Sequence, residues 1–129
     1  MTLILDTGAL IAVESSDREV LSLLQEAFLN HEEVHVPAGV IAQAWRKPER
    51  QVLLTRTLKQ CKEIPLDGET ARSCGQLCGK TRTDDVIDAS VAIAEAKRFP
   101  GGVTLLTSDR RDMQVLLSVS GISVDLVDV

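Results

Sequence analysis

Two apolar runs of strand length stand out from a chain that is otherwise patterned for helix, and each of them stops at a carboxylate. Leu3, Ile4 and Leu5 are consecutive and not alternating, and they end at Asp6; Val103 to Ser108 (VTLLTS) ends at Asp109. Unbroken apolar runs of this length predict strands buried on both faces of a parallel sheet. Between them the apolar positions fall at helical spacing. Gly8 to Val13 predicts a short helical turn. Ser15, Ser16 and Asp17 offer caps for a longer helix with Val20, Leu23, Leu24, Ala27 and Phe28 on one face, ending near Asn30. Glu33 to Val36 predicts a strand stopped by Pro37, and Ala38 to Trp45 a helix.

Arg46, Lys47, Arg50, Arg56 and Lys59 form the most basic stretch, with Leu53, Leu54 and Leu58 as its inward side; it reads as a solvated face or as a phosphate-binding one. Lys62 to Leu66 predicts a brief edge strand, since Pro65 has no amide proton to donate. Asp67 opens a helix carrying Ala71, Cys74, Leu77 and Cys78 that should stop before Gly79, and Lys80 to Asp84 is a polar capping loop. The next helix, Asp85 to Arg98, turns Val86, Ala89, Ile93 and Ala94 inward and ends at Pro100-Gly101-Gly102. A helix over Asp109 to Val119 and a strand over Ser123 to Val127 complete the chain. Alternation of this kind predicts an α/β fold with a parallel sheet and right-handed crossovers.

The 129 residues suit one domain, residues 1–129, and 44% hydrophobic against 26% charged residues excludes a disordered chain. No apolar run approaches the roughly 18 residues of a membrane span, so a cytoplasmic location with no membrane partner is expected. Cys61, Cys74 and Cys78 are odd in number and lack metal-binding spacing; Cys74 and Cys78 are expected to pack as small apolar residues. His31 and His35 straddle a loop and a strand start and are expected to be surface or structural. A net charge of −5 argues against coating nucleic acid by bulk charge, and two Phe, one Trp and no Tyr argue against a stacking platform for bases. Neither excludes a nuclease whose acids surround a cation.

The functional argument rests on the acids. In open α/β sheets the binding crevice lies outside the carboxyl ends of the strands, where Asp6 and Asp109 both fall. Asp85 and Asp88, three apart in the first turn of a helix, project to one side. Each of these aspartates, taken alone, is equally an N-cap. If the helix start lies at the same edge, four aspartates converge, and mutual repulsion raises some pKa values unless a cation sits among them. Oxygen-only ligation points to Mg2+ or Mn2+. Such a cation lowers the pKa of a water and stabilises charge on a phosphodiester, which makes a nuclease or phosphatase the natural class. Thr107, two before Asp109, is placed to bond a phosphate oxygen or steady a carboxylate, and Arg110 and Arg111 flank the same edge.

Leu-Ile-Leu-Asp-Thr at the N-terminus, Asp-Val-Ile-Asp-Ala at 85–89 and Thr-Ser-Asp-Arg-Arg-Asp at 107–112, in that order, resemble a PIN domain and are most similar to the VapC ribonuclease toxins. The resemblance spans essentially the whole chain. It implies a three-layer α/β/α fold with a central parallel sheet and RNA cleavage dependent on Mg2+ or Mn2+. It also implies frequent homodimers and a cognate antitoxin that blocks the site. By position, Asp6, Asp88 and Asp109 match the family's metal-binding acids, with Asp85 alongside them as a catalytic candidate. Thr107 matches its strand-end Thr and Asp112 a further acid near the pocket; Arg110 joins these in the surrounding shell. One position departs: the Glu common in the helix after the second strand is Gln43 here, which coordinates or holds a water through its carbonyl oxygen but adds no charge. Asp85 is one turn away and able to supply it.

Other readings fit less well. Asp6-Thr7-Gly8 matches the Asp-Thr-Gly of aspartic proteases, but those are nearly all strand. An aspartyl-nucleophile phosphatase wants a second Asp where Gly8 stands, and a receiver domain wants an acidic pair and a late Lys. The alternative from a different class is a non-catalytic PIN-like module, binding RNA or protein, in which Gln43 has weakened the metal site.

Overall fold

The computed structural model describes residues 1–96, 102–121 and 124–129. One sheet of five parallel strands runs through it: β1 (Thr2–Leu5), β2 (Glu33–Pro37), β3 (Lys62–Ile64), β4 (Val103–Thr107) and β5 (Asp125–Asp128), in the spatial order β3-β2-β1-β4-β5. The two apolar runs are the adjacent central strands. Leu3 pairs with Thr104 and Leu5 with Leu106, and Ile4, Leu5, Leu105 and Leu106 are fully buried.

Among the described residues the helices are α1 (Thr7–Glu14), α2 (Arg18–Leu29), α3 (Ala38–Ala44), α4 (Val52–Gln60), α5 (Gly68–Thr81), α6 (Val86–Ala96) and α7 (Arg110–Ser120), with a single 3-10 turn at Pro48–Arg50 before α4. One group gathers on α1, which packs against α2, α3 and α4; the other is α5, α6 and α7, packed on one another. α3 touches both α1 and α6. Its approach to α6 is close: a Cβ on Gly39 would lie 2.5 Å from the Ile87 Cδ1 methyl.

Several boundaries differ from the sequence reading for identifiable reasons. α5 continues through Gly79, which is exposed and keeps its helical hydrogen bonds, and stops at Arg82, whose φ of 57° is left-handed and whose N–H closes onto the Cys78 carbonyl. Ala71 and Val86, expected inward, are exposed. Both lie in the first turns of their helices, where the chain is still approaching the core. β2 runs through Pro37, which pairs with Ile64, and β3 ends before Pro65. Cys74 and Cys78 are buried and free, as small apolar residues. His35 is buried in β2 and bonded to Glu33 at 2.8 Å, whereas His31 is an exposed turn residue with φ 56°. The expected helix end at Arg98, the Pro100-Gly101 stop and Ser123 lie outside the described residues. No helix among those described is long and apolar enough to cross a membrane.

Candidate functional site

The strand order reverses between β1 and β4: from β1 the chain continues outward to β2 and β3, and on the other side of β1 lie β4 and β5. This is the switch point at which a parallel sheet leaves a crevice beyond its carboxyl ends. Asp6 follows β1 directly, and Asp109 stands two residues beyond β4.

Asp6 is only 4% exposed and its two oxygens are held from two directions. Oδ1 accepts the Ala9 N–H at 3.0 Å, capping α1, and Oδ2 accepts the Ser108 N–H at 3.2 Å, tying β1 to the end of β4. The Thr107 hydroxyl also hydrogen-bonds the carboxylate. Thr107 is fully buried, and its Oγ1 accepts the Asp109 N–H at 3.0 Å, which directs its own proton to Asp6. Burial pushes the Asp6 carboxyl above its ordinary pKa, and the bonds from Thr107, Ala9 and Ser108 pull against that rise. Asp6, offered by the sequence as a cap or as a site residue, caps α1 and stands at the carboxyl edge of the sheet.

The brace depends on Gly8. A Cβ there would fall 2.3 Å from the Ser108 Cβ and 2.0 Å from its Oγ. Only a residue without a side chain lets α1 start this close to the end of β4 and brings the Ser108 amide within reach of Asp6.

Three further acids meet in front of this brace. One carboxylate oxygen from each of Asp88, Asp109 and Asp112 lies within 4.8 Å of the others. Asp109 caps α7, its Oδ1 accepting the Asp112 N–H at 3.4 Å. Asp85 caps α6, its Oδ1 accepting the Ile87 and Asp88 amides at 3.1 and 3.0 Å. Asp88, in the first turn of α6, is pushed up to about 7. Burial is the largest cause, and the charges of Asp85, Asp109 and Asp6 add to it. Asp112 is raised as well, chiefly by its hydrogen bond with Asp109 and that residue's charge, with Arg111 opposing. All five aspartates thus act within one field, and a divalent cation fits it. The donors are exclusively oxygen, three of them are close enough to share one ion, and the strained ionisation of Asp88 is what a cation would relieve.

The remaining candidates fall out as follows. Gln43 is exposed on α3 and its Oε1 accepts the Thr7 hydroxyl, so it borders the crevice one residue from Asp6. Arg110 is turned away: Nε donates to Asp128 Oδ1 at 3.0 Å and a terminal nitrogen donates to the Leu126 carbonyl at 2.8 Å, which fixes α7 to β5. Asp112, expected as a further acid near the pocket, has an oxygen beside those of Asp88 and Asp109, while Asp6 faces backbone donors on both oxygens. The spacing that joined Asp85 to Asp88 also joined Asp109 to Asp112 and was available in the sequence. The role of the Ser108 amide was not, because it depends on the register of two strands about a hundred residues apart.

The chain matches no family model and no curated protein sequence. Among solved structures it is similar to a chain of VapBC2 from Rickettsia felis, crystallised bound to a DNA fragment from their promoter, with a TM-score of 0.65 at 18% identity over 100% of this chain and 99% of that one. At that identity the shared property is the fold, and the chain has the three-layer α/β/α PIN-like architecture with a central parallel sheet.

Proposed function

We propose that the chain is an endoribonuclease dependent on Mg2+ or Mn2+ and the toxin of a type II toxin-antitoxin pair. The observation that supports this most is the meeting of Asp88, Asp109 and Asp112 in front of the buried Asp6 at the sheet's switch point. Asp88, Asp109 and Asp112 would hold the cation; Asp6 contributes its charge and, through Ser108 and Thr107, fixes where Asp109 stands. Bound there, a hard divalent ion supplies a water of lowered pKa and stabilises charge developing on a phosphodiester. Asp85 keeps the first turn of α6 in place and adds negative potential at Asp88. Thr107 serves as a strut between the Asp6 carboxylate and the Asp109 main-chain N–H, and with both its bonds committed it is a positioning residue.

The partner, homodimer and cytoplasmic location follow the VapC resemblance. The solved neighbour is a named VapBC2 assembly carrying promoter DNA, which supports a DNA-binding partner here. A second reading is favoured by Gln43: with a neutral amide at the rim, the chain would be a PIN-like module that binds RNA or protein without cutting. RNA cleavage by the folded protein with Mn2+ or Mg2+, against EDTA and an Asp88→Asn control, separates the two. Cleavage that needs the metal and is lost in the variant supports the enzyme. A folded wild type inactive with both metals supports the module.

A further inference from the structure

The basic stretch singled out in the sequence is not part of the acid cluster, yet it begins beside it. Past Gln43, α3 gives way to a loop and the 3-10 turn, and between these and α1 lies an open groove of about 370 Å3. Arg46, Lys47 and Arg50 line it together with Gln43 and Glu14. Three cations against one carboxylate leave the groove positive in a chain of net charge −5. Its Gln43 end is in contact with Thr7, the residue after Asp6, so the groove starts beside the buried acid behind the cluster.

The loop is not free to rearrange. Gln51, 3% exposed, uses its whole amide on it: Oε1 accepts the Arg46 and Lys47 N–H groups at 2.9 and 3.1 Å, and Nε2 donates to the Ala44 carbonyl at 2.9 Å and to Glu14 at 3.0 Å. Arg46 folds back onto the Ala42 and Trp45 carbonyls. Lys47 and Arg50 are exposed, and the ion pairs among the described residues, His35–Glu33 and Arg110–Asp128, involve neither. Two solvent-facing cations on a fixed backbone, next to a site that would cut a phosphodiester, are a place for the phosphates that flank the cut.

We propose that this groove carries the sugar-phosphate backbone of single-stranded RNA away from the acids, with Lys47 and Arg50 pairing to successive phosphates and Arg46 adding potential from the wall. This rests on the nuclease reading above. The contacts are to phosphate, so they set affinity and register and not sequence. Glu14, whose carboxylate is already taken up by Gln51, is the one opposing charge among the groove residues.

The test compares wild type with Lys47→Gln/Arg50→Gln in two assays. In EDTA, fluorescence anisotropy of a labelled 12-nucleotide single-stranded RNA is followed over a range of salt. The double variant should bind about 10-fold more weakly at low salt, with a log-log salt slope shallower by about 1.4, or 0.7 for each lost phosphate contact. With Mn2+, cleavage of a dinucleotide too short to reach the groove should be the same in both proteins. Glu14→Gln, which keeps an acceptor for Gln51, should bind the 12-mer more tightly. Equal affinity and slope in a wild type that cleaves RNA overturn the groove alone. A wild type that neither binds nor cleaves RNA overturns the nuclease reading and the groove with it. Loss of dinucleotide cleavage in the double variant also overturns it, because the cations would then act on the acids. So does tighter binding of a poly-glutamate decamer that RNA fails to displace, which would assign the groove to an acidic protein segment.

Discussion

Replacing Asp88 with Asn should make the metal-free protein more stable at alkaline pH, although it removes a residue from the proposed working site. The Asp88 carboxyl titrates near 7 against an ordinary value of 3.8, because burial and the charges of Asp85, Asp109 and Asp6 all oppose its ionisation. A rise from 3.8 to about 7, at ~1.4 kcal/mol for each tenfold change in proton affinity, sets an upper limit of roughly 4 kcal/mol. Asp85, Asp109 and Asp112 are solvent-exposed, and screening by water brings the expected effect to about 1–2 kcal/mol. The sign follows from linkage. A carboxyl whose pKa is raised by folding contributes stability while protonated, in full below about pH 4, and loses it as the pH climbs through about 7. Asn imitates the protonated form at every pH. Thermal unfolding in EDTA should therefore show the variant melting roughly 4–8 °C above wild type at pH 8, with the gap narrowing towards pH 4.5. A variant that is less stable than wild type at pH 8, or a gap that does not change with pH, would refute the picture of acids crowded into one field.

Other perturbations address the brace, the loop and the rim. Gly8→Ala should cost about 1–3 kcal/mol in urea unfolding, since the new methyl meets Ser108 at 2.3 Å and must push β4 and α1 apart; a loss within 0.5 kcal/mol would mean the contact relaxes freely. Gln51→Ala leaves the Arg46 and Lys47 amides and the Ala44 carbonyl without their partner and should cost about 2–3 kcal/mol, with faster amide exchange at Arg46 and Lys47 as its local signature. Gln43→Glu adds a charge at the rim and should tighten Mn2+ binding on the order of 10-fold in a calorimetric titration; unchanged affinity would place residue 43 outside the ion's reach.

The fold was legible where physics is local. A run such as Leu3-Ile4-Leu5 offers no polar face and predicts a strand buried on both sides; β1 is buried throughout and β4 over Leu105–Thr107. The helix starts at Asp6, Asp17, Asp67 and Asp109 announce themselves by residues that bond the third amide onward. Helix ends were harder: a glycine at 79 looked like a stop, but the chain turned at Arg82, a left-handed residue whose N–H closes onto the Cys78 carbonyl and which no local sequence preference marks. At the site, sequence spacing brought Asp85 to Asp88, and strand ends brought Asp6 level with Asp109. What no spacing contained was direction. Arg110 sits one residue after Asp109 yet points to Asp128, and Asp6 spends both oxygens on backbone amides, one of them that of Ser108 just beyond β4. Such choices follow from register and from Gly8 at a helix start, and they appear only once the strands are paired.

A Mn2+ titration followed by electron paramagnetic resonance tests the central claim most directly, because it asks whether these acids hold an ion without requiring a substrate. The account predicts saturable binding by the wild type that is weakened at least about 10-fold in each of Asp88→Asn, Asp109→Asn and Asp112→Asn. Binding that is equally tight in all three folded variants, or absent from the wild type, would contradict it.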